Sequence, residues 1–510
     1  MCSRKTRSSP ACQRPSIWSF PRPTSCFVEL RIDMPQSMDE TLSHGEALLH
    51  EDLITPLHDH DESRNRILAK VDGETRVLSP AQANQYAIAQ RPNLGIDEVE
   101  PDPDGPKAGR RGLFKGTLIG LGGLLAASAL PRYSFAATGG DLLICVFLRG
   151  GFDGLSAVGP VGDSSYTKAR GELAITTKNK GKPLGTKYLL NPNLGALAPL
   201  WGAHEMAVVL GAGHPDVSRS HFEDQAMCER AAAANVRSGW LGRHIATSSA
   251  TSGTFRAITI GSRVVLSLTT TAHQSLAMST VEDFDLWAPW NGRETLISDL
   301  TKLYGNAGGV METQVKGTLN AVNSLKKLRE TTYKPTNGAK YPNTTFGRGM
   351  KDIARLTKAG IGLEVACIDY GGWDLHQNSG ALYQSSGAFA SMAKDLAGSI
   401  AALRTDLGTT RWKSVTLVTM SEFGRRVSVN GDGGTDHGHG NVQFIMGGSI
   451  KGGIYGSMPT LSKGNLTDGD VPITTDYRQA LSEVVSKRLN NAHVSEVFPG
   501  FTPGAALGVA

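Results

Sequence analysis

The 510-residue sequence has little cysteine: six in all, of which Cys2, Cys12 and Cys26 sit in the first tail. Cys145, Cys228 and Cys367 are far apart, which excludes both a zinc-ribbon spacing and a disulfide framework. Their odd number leaves at least one free thiol in that part of the chain. Charge of one sign is also scarce. A formal net charge of +5 with dispersed basic residues excludes the footprint of a nucleic-acid binder. No apolar run reaches the roughly 20 residues that a membrane-spanning helix needs. What the chain does have is glycine, 60 residues in a sequence that is 40% hydrophobic, the composition of a globular protein with many tight turns.

Organisation changes near residue 110. Before it, "TPLHDHDESRNR" and "GIDEVEPDPDGPKAG" are polar, acidic and proline-containing. Residues 1–109 therefore read as a largely disordered N-terminal extension, with a short apolar pattern only around residues 81–89. Next come Arg110 and Arg111, an apolar run over residues 118–130 and a small-x-small site at Ser134, Phe135 and Ala136. That run is too short to cross a bilayer but suits the core of a signal peptide. With its paired arginines and glycine-diluted core, the segment 110–137 resembles a twin-arginine export signal cleaved after Ala136 or Ala137. It implies a periplasmic or extracellular product, handled folded by the twin-arginine export machinery and without a permanent membrane span. The long stretch ahead of the arginines is either an extension or the result of a start further in, at Met34 or Met38.

From residue 138 to 510 apolar runs ending in glycine alternate with helical patterns. "DLLICVFLRGG", "MAVVLGAGHP", "IGLEVACIDYGGWD", "SVTLVTMSEFG" and "VQFIMGG" read as strands buried on both faces. "SHFEDQAMCERAAAA" and "GAFASMAKDLAGSIAALRTDL" carry helical spacing. The alternation predicts a three-layer α/β/α sandwich around a mostly parallel sheet. In such sheets ligands gather outside the carboxyl ends of the strands, and that is where the polar residues fall. Asp153 follows the first strand; Ser218, Arg219, Ser220 and His221 follow the second; Asp374 and His376 follow the third. Glu422 and Arg425 follow the fourth, with Asp436, His437 and His439 just beyond in "GGTDHGHGN". Taken singly, each has a plainer reading: Asp153 as a turn cap, His376 as a surface histidine, Glu422 with Arg425 as an i,i+3 ion pair.

The set "RRGLFKG", "FLRGGFDGL", "RSHFEDQ", "GWLGRHI", "GGWDLHQN", "MSEFGRR", "GGTDHGHGN" and "TTDYRQAL" resembles the exported domain of unknown function 1501 family, from about residue 110 to the C-terminus. That family is similar in fold to the alkaline phosphatase and sulfatase superfamily. The resemblance implies an alkaline-phosphatase-like domain with metal at Asp436, His437 and His439, and with Asp153 as the first metal aspartate. Carboxylate and imidazole together suit zinc, manganese or iron better than calcium or magnesium. Adjacent Asp436 and His437 meet one ion only if the backbone bends sharply, which glycine permits. His439 is either a ligand or a donor that orients one. Asp374 and His376, on the same side of an extended segment, are placed to serve a second divalent ion. His221, Glu422 and Arg425 are then candidates for holding ligands in position.

By the same resemblance the nucleophile lies at the start of the helix after the second strand, at Ser220 or Ser218. Either serine equally suits an N-cap. Arg219 either binds an oxygen of a small anionic substrate or is solvated. Apart from His493, no histidine follows His439, so the late metal histidine of the phosphatases is missing. Two functions follow: an exported metal-dependent hydrolase of phosphate or sulfate esters, or a non-catalytic exported binding or assembly protein with a decayed or structural metal site.

Overall fold

The computed structural model describes residues 67–71, 74–78, 141–248, 255–286, 288, 292–377, 379–380 and 387–510. The twin-arginine segment 110–137 and most of the N-terminal extension lie outside the described residues. The chain divides into two units, Met1–Gly105 and Pro106–Ala510. In the first, the described residues are an antiparallel strand pair, Ile67–Val71 with Glu74–Leu78.

The second unit is built on a 9-stranded sheet. Its strands are β1 (Leu142–Leu148), β2 (Met206–Gly213), β3 (Ala257–Ile260), β4 (Leu276–Met278), β5 (Val365–Tyr370), β6 (Val415–Met420), β7 (Asn441–Met446), β8 (Gly453–Gly456) and β9 (Thr475–Asp476). The order across the sheet is β8-β2-β7-β6-β1-β5-β3-β4, with β9 also pairing with β2. β7 runs antiparallel to both its neighbours, and every other pairing in this sheet is parallel.

The continuous apolar runs follow from burial on both faces. Successive side chains of a strand point to opposite sides. Leu142, Ile144, Val146 and Leu148 of β1 therefore enter one core, and Leu143, Cys145 and Phe147 enter another. The first core is completed by α3 (Thr345–Ala359) and α4 (Ala388–Trp412), through Phe346, Met350, Ile353, Leu396, Ile400 and Leu403. The second is completed by α2 (Trp240–Thr247) and α5 (Tyr477–Glu483), through Trp240, Leu241, Ile245, Ala480 and Leu481. The result is a three-layer α/β/α sandwich. Local signals set the helix bounds: Thr344 accepts the Gly347 N–H to start α3, and Gly360, at φ +66°, stops it. Cys145, Cys228 and Cys367 are free and buried. Among the described residues no helix is long and apolar enough to cross a membrane.

One reversed strand determines where the polar loops meet. Because β7 is antiparallel to β6, the segment 421–440 leaves the carboxyl end of β6 and re-enters the sheet at that same edge. The segment 457–474 behaves similarly. Gly456 of β8 pairs with Leu210 and Thr475 of β9 with Ala212, so the chain between them leaves and returns near the carboxyl end of β2.

Candidate metal centre

The loops after β1, β2, β5 and β6 converge at this edge. α1 (His221–Arg230) begins directly after the β2 loop, so His221 stands in its first turn. His221, Asp374 and His437 each present one ligand atom, and these atoms lie within 4.8 Å of one another. His376 joins them, with Nε2 at 3.0 Å from Asp374 Oδ1 and 2.9 Å from His437 Nε2. His437 Nε2 is itself 3.2 Å from Asp374 Oδ1.

The far side of each ring is held by oxygen. His221 Nδ1 is 2.8 Å from Glu422 Oε1, His376 Nδ1 is 3.0 Å from Asp436 Oδ1, and His437 Nδ1 is 2.9 Å from the Arg219 carbonyl. A carbonyl or an ionised carboxylate can only accept, so each Nδ1 carries a proton, and in a neutral ring Nε2 then turns a lone pair inward. For His376 and His437 this sets two lone pairs face to face, an arrangement that needs a proton or a cation between them. Nε2 of His221 is 3.3 Å from Asp374 Oδ2 and has no hydrogen-bond partner among the described residues. Imidazole nitrogens around one carboxylate form a donor set that could hold a metal ion, and the anchored Nδ1 atoms are what such ligands require.

Electrostatics follow from the same contacts. Burial alone would raise the Asp374 carboxyl, but His221, His437 and Arg425 outweigh it and hold it far below the usual carboxylate range. Burial would lower His221, yet the carboxylates of Asp374 and Glu422 push it up to about 9. Glu422 is buried, which would raise it; hydrogen bonds from His221, Gln225 and the Gly150 N–H bring it below its ordinary value. Asp436 is also lowered, by Asn430 and His376. A metal ion and a proton compete for the same imidazole nitrogen.

Arg425 ties the loops together. Its fully buried guanidinium donates from Nε to the Gly151 carbonyl at 2.7 Å and from Nη1 to the Thr435 carbonyl at 2.7 Å. Nη2 reaches the Gly150 carbonyl and Asp374 Oδ1. Glycine lets the "GGTDHGHGN" loop pass this close. A Cβ at Gly434 would lie 2.2 Å from the His376 carbonyl carbon, and one at Gly438 would lie 2.6 Å from that of Arg425.

The structure separates several residues that the sequence grouped. Asp153 lies outside the cluster: it caps the short helix Gly154–Ala157, bonds Ser156 Oγ at 2.7 Å and pairs with buried Arg170. Burial would raise its carboxyl, and Arg170 keeps it low. Asp436 anchors His376 from outside the ring. Glu422 and Arg425 do not form the i,i+3 pair; each turns to a different loop. His439 points elsewhere, with Nδ1 2.7 Å from Asp470 Oδ2. Asp374 and His376 share one cluster with His437 rather than forming a separate one. His221, read from sequence as a supporting residue, stands within the group.

Ser220 is the N-cap of α1 by position, yet its side chain makes no capping hydrogen bond. The turn is held instead by buried Asp224, which accepts from the Ser218 and Arg219 N–H groups at 2.9 and 2.7 Å and from Ser218 Oγ at 3.0 Å. The Ser218 hydroxyl is thereby engaged. Asp224 and Asp470 were missed from sequence; the acid four residues after Ser220 was the available signal for the first, and the second had none.

A family model described as "Protein of unknown function (DUF1501)" matches residues 174–475. No curated protein matches the chain. Four chains of solved structures match it, and two of them illustrate the likeness. One, described as "Crystal structure of Ps i-CgsB", is 11% identical, covers 62% of this chain and 68% of its own, and gives a TM-score of 0.26. The other, a phosphonate monoester hydrolase of Agrobacterium radiobacter, is 8% identical, covers 60% and 68%, and gives a TM-score of 0.22. Likeness at that level bears on neither the site nor its chemistry.

Proposed function

Because the chain belongs to the DUF1501 family, whose function is unknown, its activity has to be argued from its own site, and we propose a metal-dependent hydrolase of phosphate or sulfate esters. The observation that carries this reading is the 2.9 Å approach of the His376 and His437 Nε2 atoms beside Asp374, with every Nδ1 in the cluster held by oxygen. His221, His376, His437 and Asp374 would hold one zinc, manganese or iron ion. When bound, such an ion lowers the pKa of a nucleophile and offsets charge on the reacting ester.

The chain's own groups supply the rest. Ser220, whose hydroxyl makes no cap bond, immediately precedes His221 and is the nucleophile in this reading. The N-terminus of α1 favours an incoming anion. Arg425 keeps Asp374 ionised and in place. A second reading, a non-catalytic exported protein with a structural metal, draws support from Asp153, whose carboxylate is taken up by Arg170.

Purified protein assayed for bound metal and against aryl phosphate and aryl sulfate esters tests the proposal. Metal with turnover supports the hydrolase, metal without turnover favours a non-catalytic protein with a structural site, and absence of metal removes the hydrolase and leaves a decayed site. We further propose twin-arginine export to the periplasm or the medium, supported by the sequence of residues 110–137. Replacing Arg110 and Arg111 with lysine should retain the protein in the cytoplasm; continued export would defeat the idea.

A further inference from the structure

α1 meets the sheet edge through polar side chains. His221, Gln225 and Glu229 recur every fourth residue, so they line one face of this helix. The first two converge on one atom: Glu422 Oε1 lies 2.8 Å from His221 Nδ1 and accepts from Gln225 Nε2 at 2.9 Å. The Gly150 N–H, at 2.7 Å, is a third donor to the same oxygen.

Arg149, directly after β1, stands behind this set. Its Nη1 donates to Gln225 Oε1 at 2.9 Å and its Nε to Asp369 Oδ2 at 2.7 Å, while Nη2 lies 3.2 Å from Glu229 Oε1. The guanidinium carbon also lies 4.4 Å from the centre of the Phe147 ring. Groups from β1, β5 and α1 thus hold one side chain. Its main chain is fixed as well: the N–H donates to the Tyr370 carbonyl at 3.0 Å, and the carbonyl accepts from the Trp373 N–H at 3.1 Å.

A guanidinium only donates, so it takes the oxygen end of the Gln225 amide and leaves the NH2 end to face Glu422. A carboxylate held by fewer donors is freer to turn, and the His221 ring, whose Nδ1 it holds, turns with it. Resting on the metal reading above, we propose that Arg149 is a positioning residue of the metal centre. It orients the Gln225 amide, Gln225 steadies Glu422, and Glu422 keeps His221 Nε2 directed at Asp374, 3.3 Å away. Lysine in its place keeps a charge beside Glu229 and Asp369 but lacks the planar fork that meets several acceptors in fixed directions.

The test uses the full chain and measures zinc affinity by competition with a chelating dye, together with the visible spectrum of cobalt(II) bound in place of zinc. Urea unfolding of the metal-free proteins runs alongside. Arg149→Lys should bind zinc several-fold more weakly and shift the cobalt spectrum, with little change in unfolding. Gln225→Leu should weaken zinc binding about 10-fold, the lower end of what loss of such a partner commonly costs. Because Arg149 acts through Gln225, the double variant should bind zinc no more weakly than Gln225→Leu alone, whereas independent groups would add their losses. If Arg149→Lys does not fold, Gln225→Leu still decides: an unchanged zinc affinity and cobalt spectrum in that variant overturns the proposal. Losses that add in the double variant, or wild-type zinc affinity in Arg149→Lys, overturn the role of Arg149 and leave the metal centre standing. A wild-type chain that binds no zinc overturns the metal reading as well.

Discussion

The Nε2 atoms of His376 and His437 stand 2.9 Å apart, although one ring follows β5 and the other lies in the loop that leads into β7. Two inward-facing lone pairs at that distance repel unless a positive centre lies between them. The outer hydrogen bonds to Asp436 and to the Arg219 carbonyl prevent the rings from turning away.

That pairing predicts which histidines control metal content. His376→Ala and His437→Ala should each lose most of the bound ion. His439→Ala should keep its stoichiometry, because its ring is directed at Asp470 and Arg219. Metal analysis of the three purified variants checks this, and equal loss from all three would place His439 in the coordination sphere.

Glu422→Gln tests the anchoring of His221. The carboxylate accepts from His221 Nδ1 at 2.8 Å, from the Gly150 N–H at 2.7 Å and from Gln225 at 2.9 Å. All three reach the same oxygen, Oε1, which a glutamine can still offer, so the substitution removes chiefly the negative charge that faces His221. Loss of such a partner commonly costs roughly 10 to 100-fold in metal affinity, which competition with a chelating dye would measure. An unchanged affinity would mean that Glu422 serves the fold alone.

Arg425→Ala should be among the most damaging substitutions in the described chain. It strips donors from the Gly150, Gly151 and Thr435 carbonyls and leaves Asp374 without its buried cation. Asp374 is 37% exposed and keeps His221 and His437 beside it, so the loss comes mainly from the carbonyls left without a donor, about 1 to 3 kcal/mol for each buried group left unpaired. Urea unfolding should show a loss of that order, and a loss under about 1 kcal/mol would mean that water replaces the guanidinium.

Ser220→Ala separates chemistry from capping. Because the hydroxyl makes no cap bond, stability should change by less than about 0.5 kcal/mol. Turnover against an aryl ester should fall by most of its value while metal stays bound. A fully active variant would remove Ser220 from the reaction.

Acid lability should arise away from this centre. Burial, with Arg256 nearby, pushes His244 down to about 4 from 6.5, and Asn491 donates to its Nδ1 at 3.0 Å, holding the ring neutral. The unfolded chain therefore takes up this proton first as pH falls. The stability is fully present above about 6.5, is lost progressively toward 4, and amounts to about 3 kcal/mol. His273, also pushed down to about 4, acts in the same direction. His244→Asn should flatten part of the fall in melting temperature between pH 6.5 and 4. An identical pH profile would show that the ring is charged in the folded protein.

The strands were legible in the sequence because burial on both faces leaves a continuous apolar run, as in "LLICVFL" and "VTLVTM". The α/β/α layering and the placement of polar residues at strand ends followed from the alternation of those runs with helical spacing. The direction of β7 was not legible. A period of two reads the same whichever way a strand runs, and only its pairing with β2 and β6 makes it antiparallel and returns the loop 421–440 to the edge where His221 and Asp374 wait. Partner choice was hidden for the same reason. Glu422 and Arg425 are neighbours in sequence, but they are bound to His221 and Asp374 because the loops after β2, β5 and β6 meet at one edge of the sheet. Asp470 carries no local signature at all. Its meeting with Arg219 and His439 depends on β8 and β9 both pairing with β2, a contact between distant segments that residue type alone does not encode.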